Sequence, residues 1–131
     1  MISNPFRDQT DFMRACDQSV GIYNEAQYKL YRDLIDEEVS ELRDAVAADD
    51  KVEQLDALID ILVVTIGAIN SLGACGECAW KEVMNTNMAK IDPMTRKVRK
   101  REDGKVLKPE GWLPPNLEQY IKEPCEEHKT T

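Results

Sequence analysis

Glu37, Glu38 and Glu41 stand in the stretch "DLIDEEVSELRD", and Glu53, Asp56 and Asp60 follow in "EQLDALID". Carboxylates in such numbers either hold a divalent cation, pair with basic side chains, or sit hydrated on a charged face. Their placement separates these options. At about 100° per helical residue, the three glutamates fall on one flank of the seam formed by Ile35, Val39, Leu42 and Val46, and Leu30 and Leu34 share that flank. Glu53, Asp56 and Asp60 fall within about 60° of one another. Leu58, Ile59, Ile61, Leu62 and Val63 crowd the last of them. The acids are thus interleaved with apolar side chains. Burying one unpaired carboxylate is costly, and burying several adds repulsion unless they are protonated or share cations. Few lysines or arginines lie near in sequence. Two antiparallel helices joined by the short "AADD" link would set the two groups opposite each other. An all-oxygen cage of that kind suits Mg2+ or Mn2+, which keep waters and substrate oxygens as further ligands.

The elements that must position these acids are helical. Residues 8–19 read as a short helix with Phe12, Met13 and Cys16 on one side, ending near Gly21. Tyr28, Tyr31, Ile35, Val39, Leu42 and Val46 step by three and four, which predicts a helix over 24–48. "LDALIDILVVTIGAI" is too long for a strand and predicts a third helix over 51–72, the most buried of the set. A fourth, over 77–90, carries Trp80, Val83, Met84 and Met88 and ends before "IDP". Beyond Asp92 the basic stretch "RKVRKREDGKVLKPEGWLPP" predicts a small hairpin or extended arm turning at "DG". Pro109, Pro114 and Pro115 leave room for one or two helical turns around "NLEQYI", and residues 123–131 read as a loose tail. The expected architecture is all-α: a four-to-five-helix bundle with a short C-terminal basic hairpin or extended arm, forming a single domain over residues 1–131.

The formal net charge of −8 argues against nucleic-acid binding, which needs a cationic surface. Charge is unevenly spread. Asp33 to Asp60 holds eleven acids against Arg43 and Lys51, a balance of −9, whereas Lys90 to Lys108 holds eight bases against three acids, a balance of +5. One segment suits cations and the other phosphates. No apolar run approaches the roughly 20 residues that span a bilayer, so no membrane association is expected. "MISNPFRDQTDF" has no apolar signal region, and a cytoplasmic setting follows. Cys16, Cys75, Cys78 and Cys125 do not suggest a disulfide framework. "CGEC" is a C-x-x-C pair, read here as small apolar filler at a helix start.

The acidic motifs carry a resemblance. "EEVSE" followed by "EQLD" is similar to the E-E-x-x-E … E-x-x-D signature of the all-α NTP pyrophosphohydrolases, the MazG-like group that includes phosphoribosyl-ATP pyrophosphatases and dimeric dUTPases. "VMNTNMAKI" and "REDGKVLKPEGWLPPNLEQYI" resemble the C-terminal portion of its short phage-type members, with N-M-x-K, D-G-K and K-P. The likeness spans roughly residues 10–121. Thr86 stands where the family usually has serine, and "CGEC" has no counterpart.

This resemblance implies hydrolysis of a nucleoside triphosphate to the monophosphate and pyrophosphate with Mg2+ or Mn2+. It implies Glu38, Glu41, Glu53 and Asp56 as metal ligands and Glu37 as holder of a further ion or activator of the attacking water. Asn87, Lys90, Lys105 and Lys108 match the positions expected to contact phosphates. The base would lie near Phe12, Met13 and Gln18, with Trp80 and Trp112 as other stacking candidates. Relatives that prefer guanine nucleotides suggest (d)GTP. A homodimer or homotetramer is expected, both from the likeness and because the apolar sectors exceed what one helix pair buries.

Two other readings compete for the acidic helices. A carboxylate-bridged di-iron bundle needs Glu-x-x-His motifs, and the only histidine is His128 in the tail. An acidic helical interaction module without catalytic activity is the alternative, and it would leave every carboxylate in solvent.

Overall fold

Short polar side chains fix where the helices begin, because the first turn of a helix has backbone N–H groups with no partner inside it. Asn4 Oδ1 accepts from the N–H groups of Phe6 and Arg7, and Pro5 occupies the first helical position, so α1 runs Pro5–Ala15. This start lies earlier than the apolar periodicity predicts: the Asn-Pro pair dictates the boundary, and the turn at Cys16 closes the helix. Asn24 accepts from Gln27 N–H and opens α2 (Glu25–Ala47). Asp50 accepts from Glu53 N–H and opens α3 (Lys51–Leu72), which Gly73 ends in the left-handed conformation at φ 87°. Cys75 caps α4 (Gly76–Met88), and a final turn, α5, spans Gln119–Lys122. The computed structural model describes residues 4–122, so the tail expected from residue 123 lies outside the described residues.

Cys75 and Cys78 are disulfide-bonded, which corrects the reading of this pair as filler. The i, i+3 spacing on a first helical turn brings the two side chains together without any wider framework. Cys75 Sγ also accepts from Cys78 N–H at 3.3 Å, so the same residue caps the helix.

α2 and α3 form the most extensive helix pair and lie antiparallel across the four-residue "AADD" region. Their core joins Tyr31 of α2 to Val64 and Ala68 of α3 and to Met13 of α1, with Val20, Tyr28, Leu34 and Ile35 packed around them. Gly67 is required at the crossing, since a Cβ there would run into the Tyr31 ring. The loop between α1 and α2 is stitched to the end of α3. Gln27 Nε2 donates to Ser19 O and Ser71 Oγ, Gln27 Oε1 accepts from Ser19 N–H, and Asn24 N–H donates to Ser71 O. Of the three residues predicted to share a face of α1, only Met13 reaches the core; Phe12 and Cys16 are exposed.

The C-terminal half of α3 is the buried centre of the fold, and its N-terminal half is not. Val52, Leu55, Ile59 and Leu62 are 77, 62, 51 and 45% exposed, a continuous apolar stripe at helical spacing. By length and composition alone α3 could cross a membrane, but its packing along α1 and α2 and its three acids give it a place in a helical core. α4 sits against α1 through the Phe6 and Trp80 rings and the Arg7–Glu77 ion pair, and against α5 through Cys75 N–H donating to Tyr120 O. The basic arm is a ribbon held by two isolated antiparallel bridges, Ile91–Val98 and Lys100–Val106, and it turns at Asp103–Gly104 as "DG" predicts. Among the described residues there is no regular strand, and the fold is all-α.

Candidate active site

Antiparallel pairing of α2 and α3 does what the acid spacing requires: it turns the flank of Glu37, Glu38 and Glu41 towards that of Asp56 and Asp60. Glu38 and Asp60 are half-buried, whereas Glu37, Glu41, Glu53 and Asp56 are exposed. Glu38 Oε2 is sealed from solvent and has no hydrogen-bond partner. Its carboxyl is pushed up to about 7, first by burial, then by a side-chain hydrogen bond with Glu41 and the negative charges of Glu41, Asp60 and Glu37. Asp60 is raised too, by burial and then by the charges of Asp56 and Glu41. Glu38, Glu41, Asp56 and Asp60 therefore feel one another across the two helices. Among the described residues none of these acids forms an ion pair with a lysine or arginine.

Glu53 stands apart from that group. It sits exposed in the first turn of α3, its N–H held by Asp50, and it contributes to neither raised carboxyl. Among the described residues no three Asp, Glu, His or Cys side chains converge as a finished metal cage.

Asn87, Lys90 and Lys108 come together at the far end of α4. Lys90 Nζ donates to Asn87 Oδ1 at 3.1 Å, and Lys90 and Lys108 both lie over the Trp112 ring, at 5.0 and 4.9 Å from its centre. Lys105 is not with them. It belongs to the arm's turn, where its N–H donates to Asp103 Oδ1. The sequence marks Trp112 only as a stacking candidate, and its role in gathering the lysines has one signal there, its place four residues after Lys108 in "KPEGW".

The residues assigned to the base divide by exposure. Phe12 is open to solvent, Met13 has no exposed surface at all, and Gln18 accepts a hydrogen bond from Tyr31 Oη. Met13 is committed to the core and presents no face to a ligand.

The family profile described as phosphoribosyl-ATP pyrophosphohydrolase matches residues 10–87. The chain belongs to this family. The matched span starts within α1 and covers α2, α3 and nearly all of α4, so it contains every acid of the site and Asn87. Lys90, Lys105, Lys108 and Trp112 lie beyond it. No curated protein matches the chain. As a member of the phosphoribosyl-ATP pyrophosphohydrolase family the protein is a pyrophosphohydrolase, a hydrolase acting on phosphoric anhydrides. Such chemistry needs charge neutralisation around the anhydride and a water made acidic enough to lose a proton; it needs no serine, cysteine or histidine nucleophile.

Proposed function

We propose that the chain hydrolyses a nucleoside triphosphate to the monophosphate and pyrophosphate in a reaction that depends on Mg2+ or Mn2+. The observation that carries this reading is Glu38 Oε2, enclosed without a hydrogen-bond partner among Glu37, Glu41 and Asp60, with no lysine or arginine among the described residues paired to the group. Only a proton or a shared cation makes such an arrangement tolerable near neutral pH. The donor set is all carboxylate oxygen, which fits a hard divalent ion. Glu38, Glu41, Glu53 and Asp56 would hold it. When bound, the ion stabilises charge on the triphosphate and lowers the pKa of a coordinated water.

The chain's own residues then have separable tasks. Glu37, exposed beside Glu38, accepts a proton from the attacking water. Asn87, Lys90, Lys105 and Lys108 offer donors and positive charge to phosphate oxygens, with three of the four already gathered at Trp112. Water and triphosphate give monophosphate and pyrophosphate, with (d)GTP the first substrate to try.

The same reading includes a homodimer or homotetramer. On the α3 helical wheel the acids lie between the core seam and the exposed stripe of Val52, Leu55, Ile59 and Leu62. A second copy docked on that stripe would shelter the carboxylates from solvent on their open side. The deciding experiment is pyrophosphate release from the eight standard triphosphates with Mg2+, Mn2+ or a chelator. Metal-dependent release from at least one, lost in Glu38→Gln, supports the assignment; no release from any under either metal overturns it.

A further inference from the structure

Trp112 is fixed at one edge and carries two lysines against its ring. Its Nε1–H donates to Thr86 O at 2.7 Å, which pins the indole to the last turns of α4. Lys90, just past that helix, and Lys108, from the arm, each place an ammonium group over the ring, at 5.0 and 4.9 Å. Two like charges do not gather by choice. The π face offsets part of their repulsion, and the Lys90 hydrogen bond to Asn87 Oδ1 holds one of them in place. Among the described residues neither lysine has a carboxylate within ion-pair distance. A cavity of about 390 Å³ lies under the 109–113 turn, and Trp112 lines it while the two lysines do not. Glu110 lines that cavity without pairing to either lysine.

We propose that Trp112 is a positioning residue that seats Lys90 and Lys108 as a two-cation clamp for a polyphosphate. The link to nucleotide hydrolysis rests on the function proposed above; the clamp itself rests on the ring and its two cations. Trp112 touches no reacting atom, so its loss weakens binding and leaves the chemical step alone.

The test is calorimetric titration of the intact protein with inorganic tripolyphosphate, beside nucleotide kinetics. Trp112→Leu removes the ring and is expected to weaken tripolyphosphate binding about tenfold, with KM for the nucleotide raised in proportion and kcat unchanged. Trp112→Phe keeps a π face, loses only the Thr86 bond, and retains most of the affinity. In the Trp112→Leu background Lys108→Met costs little more, because that lysine, held by the ring alone, is already unseated. Helical circular dichroism reports folding of each variant. Tripolyphosphate binding that depends on Trp112 in a protein with no hydrolytic activity would strike the proposed reaction and leave the clamp standing. Wild-type affinity in Trp112→Leu, or no binding by the wild type at millimolar tripolyphosphate, overturns the clamp.

Discussion

The Tyr31 ring of α2 lies in the space that Gly67 of α3 leaves by having no side chain, and this contact sets how closely the two acid-bearing helices approach. Tyr31 is 5% exposed and its hydroxyl is tied to Gln18, so the ring has no room to retreat. Gly67→Ala should destabilise the protein by about 1–3 kcal/mol, the usual cost of overpacking, despite the better helix propensity of alanine. Urea denaturation measures it. Gly104→Ala is the contrast: the position has open space around it, and only its φ of 89° resists a side chain, so about 1 kcal/mol is expected. Equal effects at the two sites would mean that the Tyr31 contact does not hold the pair together.

Glu38 makes the stability of the metal-free chain depend on pH. Its native carboxyl is raised to about 7, above its ordinary value of 4.5, so the folded state binds a proton more tightly than the unfolded state. The resulting stabilisation is full below the ordinary carboxylate range and is lost as pH rises towards 7. Glu38→Gln removes that dependence. In chelator, the variant should gain stability relative to wild type between about pH 4.5 and 7 and hold a constant advantage above. Parallel pH profiles for the two proteins would mean that Glu38 titrates normally.

The exposed stripe on α3 predicts association. Leu55→Glu and Ile59→Glu place a charge in its middle, where a covered apolar face tolerates it poorly and an open face accepts it freely. Light scattering after gel filtration should show the wild type as a dimer or tetramer and the double variant shifted towards monomer. A wild-type monomer at micromolar concentration would remove this part of the account.

Much of the fold was legible because local signals and periodicity agree. Asn24, Asp50 and Gly73 mark ends that the apolar spacing of α2 and α3 also marks, and both helices lie within a residue or so of where the sequence puts them. α1 was shifted because Asn4 and Pro5 lie outside its apolar pattern. Exposure was harder to read: Phe12 and the α3 stripe of Val52, Leu55, Ile59 and Leu62 are as apolar as core side chains, and only the packing of neighbours distinguishes them. The same limit applies at the site. Spacing places Glu38, Glu41 and Asp56 on facing flanks, but the separation of Glu53 and the gathering of Lys90 and Lys108 on Trp112 depend on side-chain direction and on a contact across the arm.

A divalent cation shared by the carboxylates of α2 and α3 is open to calorimetric titration of Mn2+ into the protein near pH 7, paired with thermal unfolding at the same metal concentrations. Saturable binding is expected, with a rise in unfolding temperature as the metal loads the native state and loss of both in Glu38→Gln and Asp56→Asn. No binding heat and an unchanged unfolding temperature at millimolar Mn2+ would contradict it.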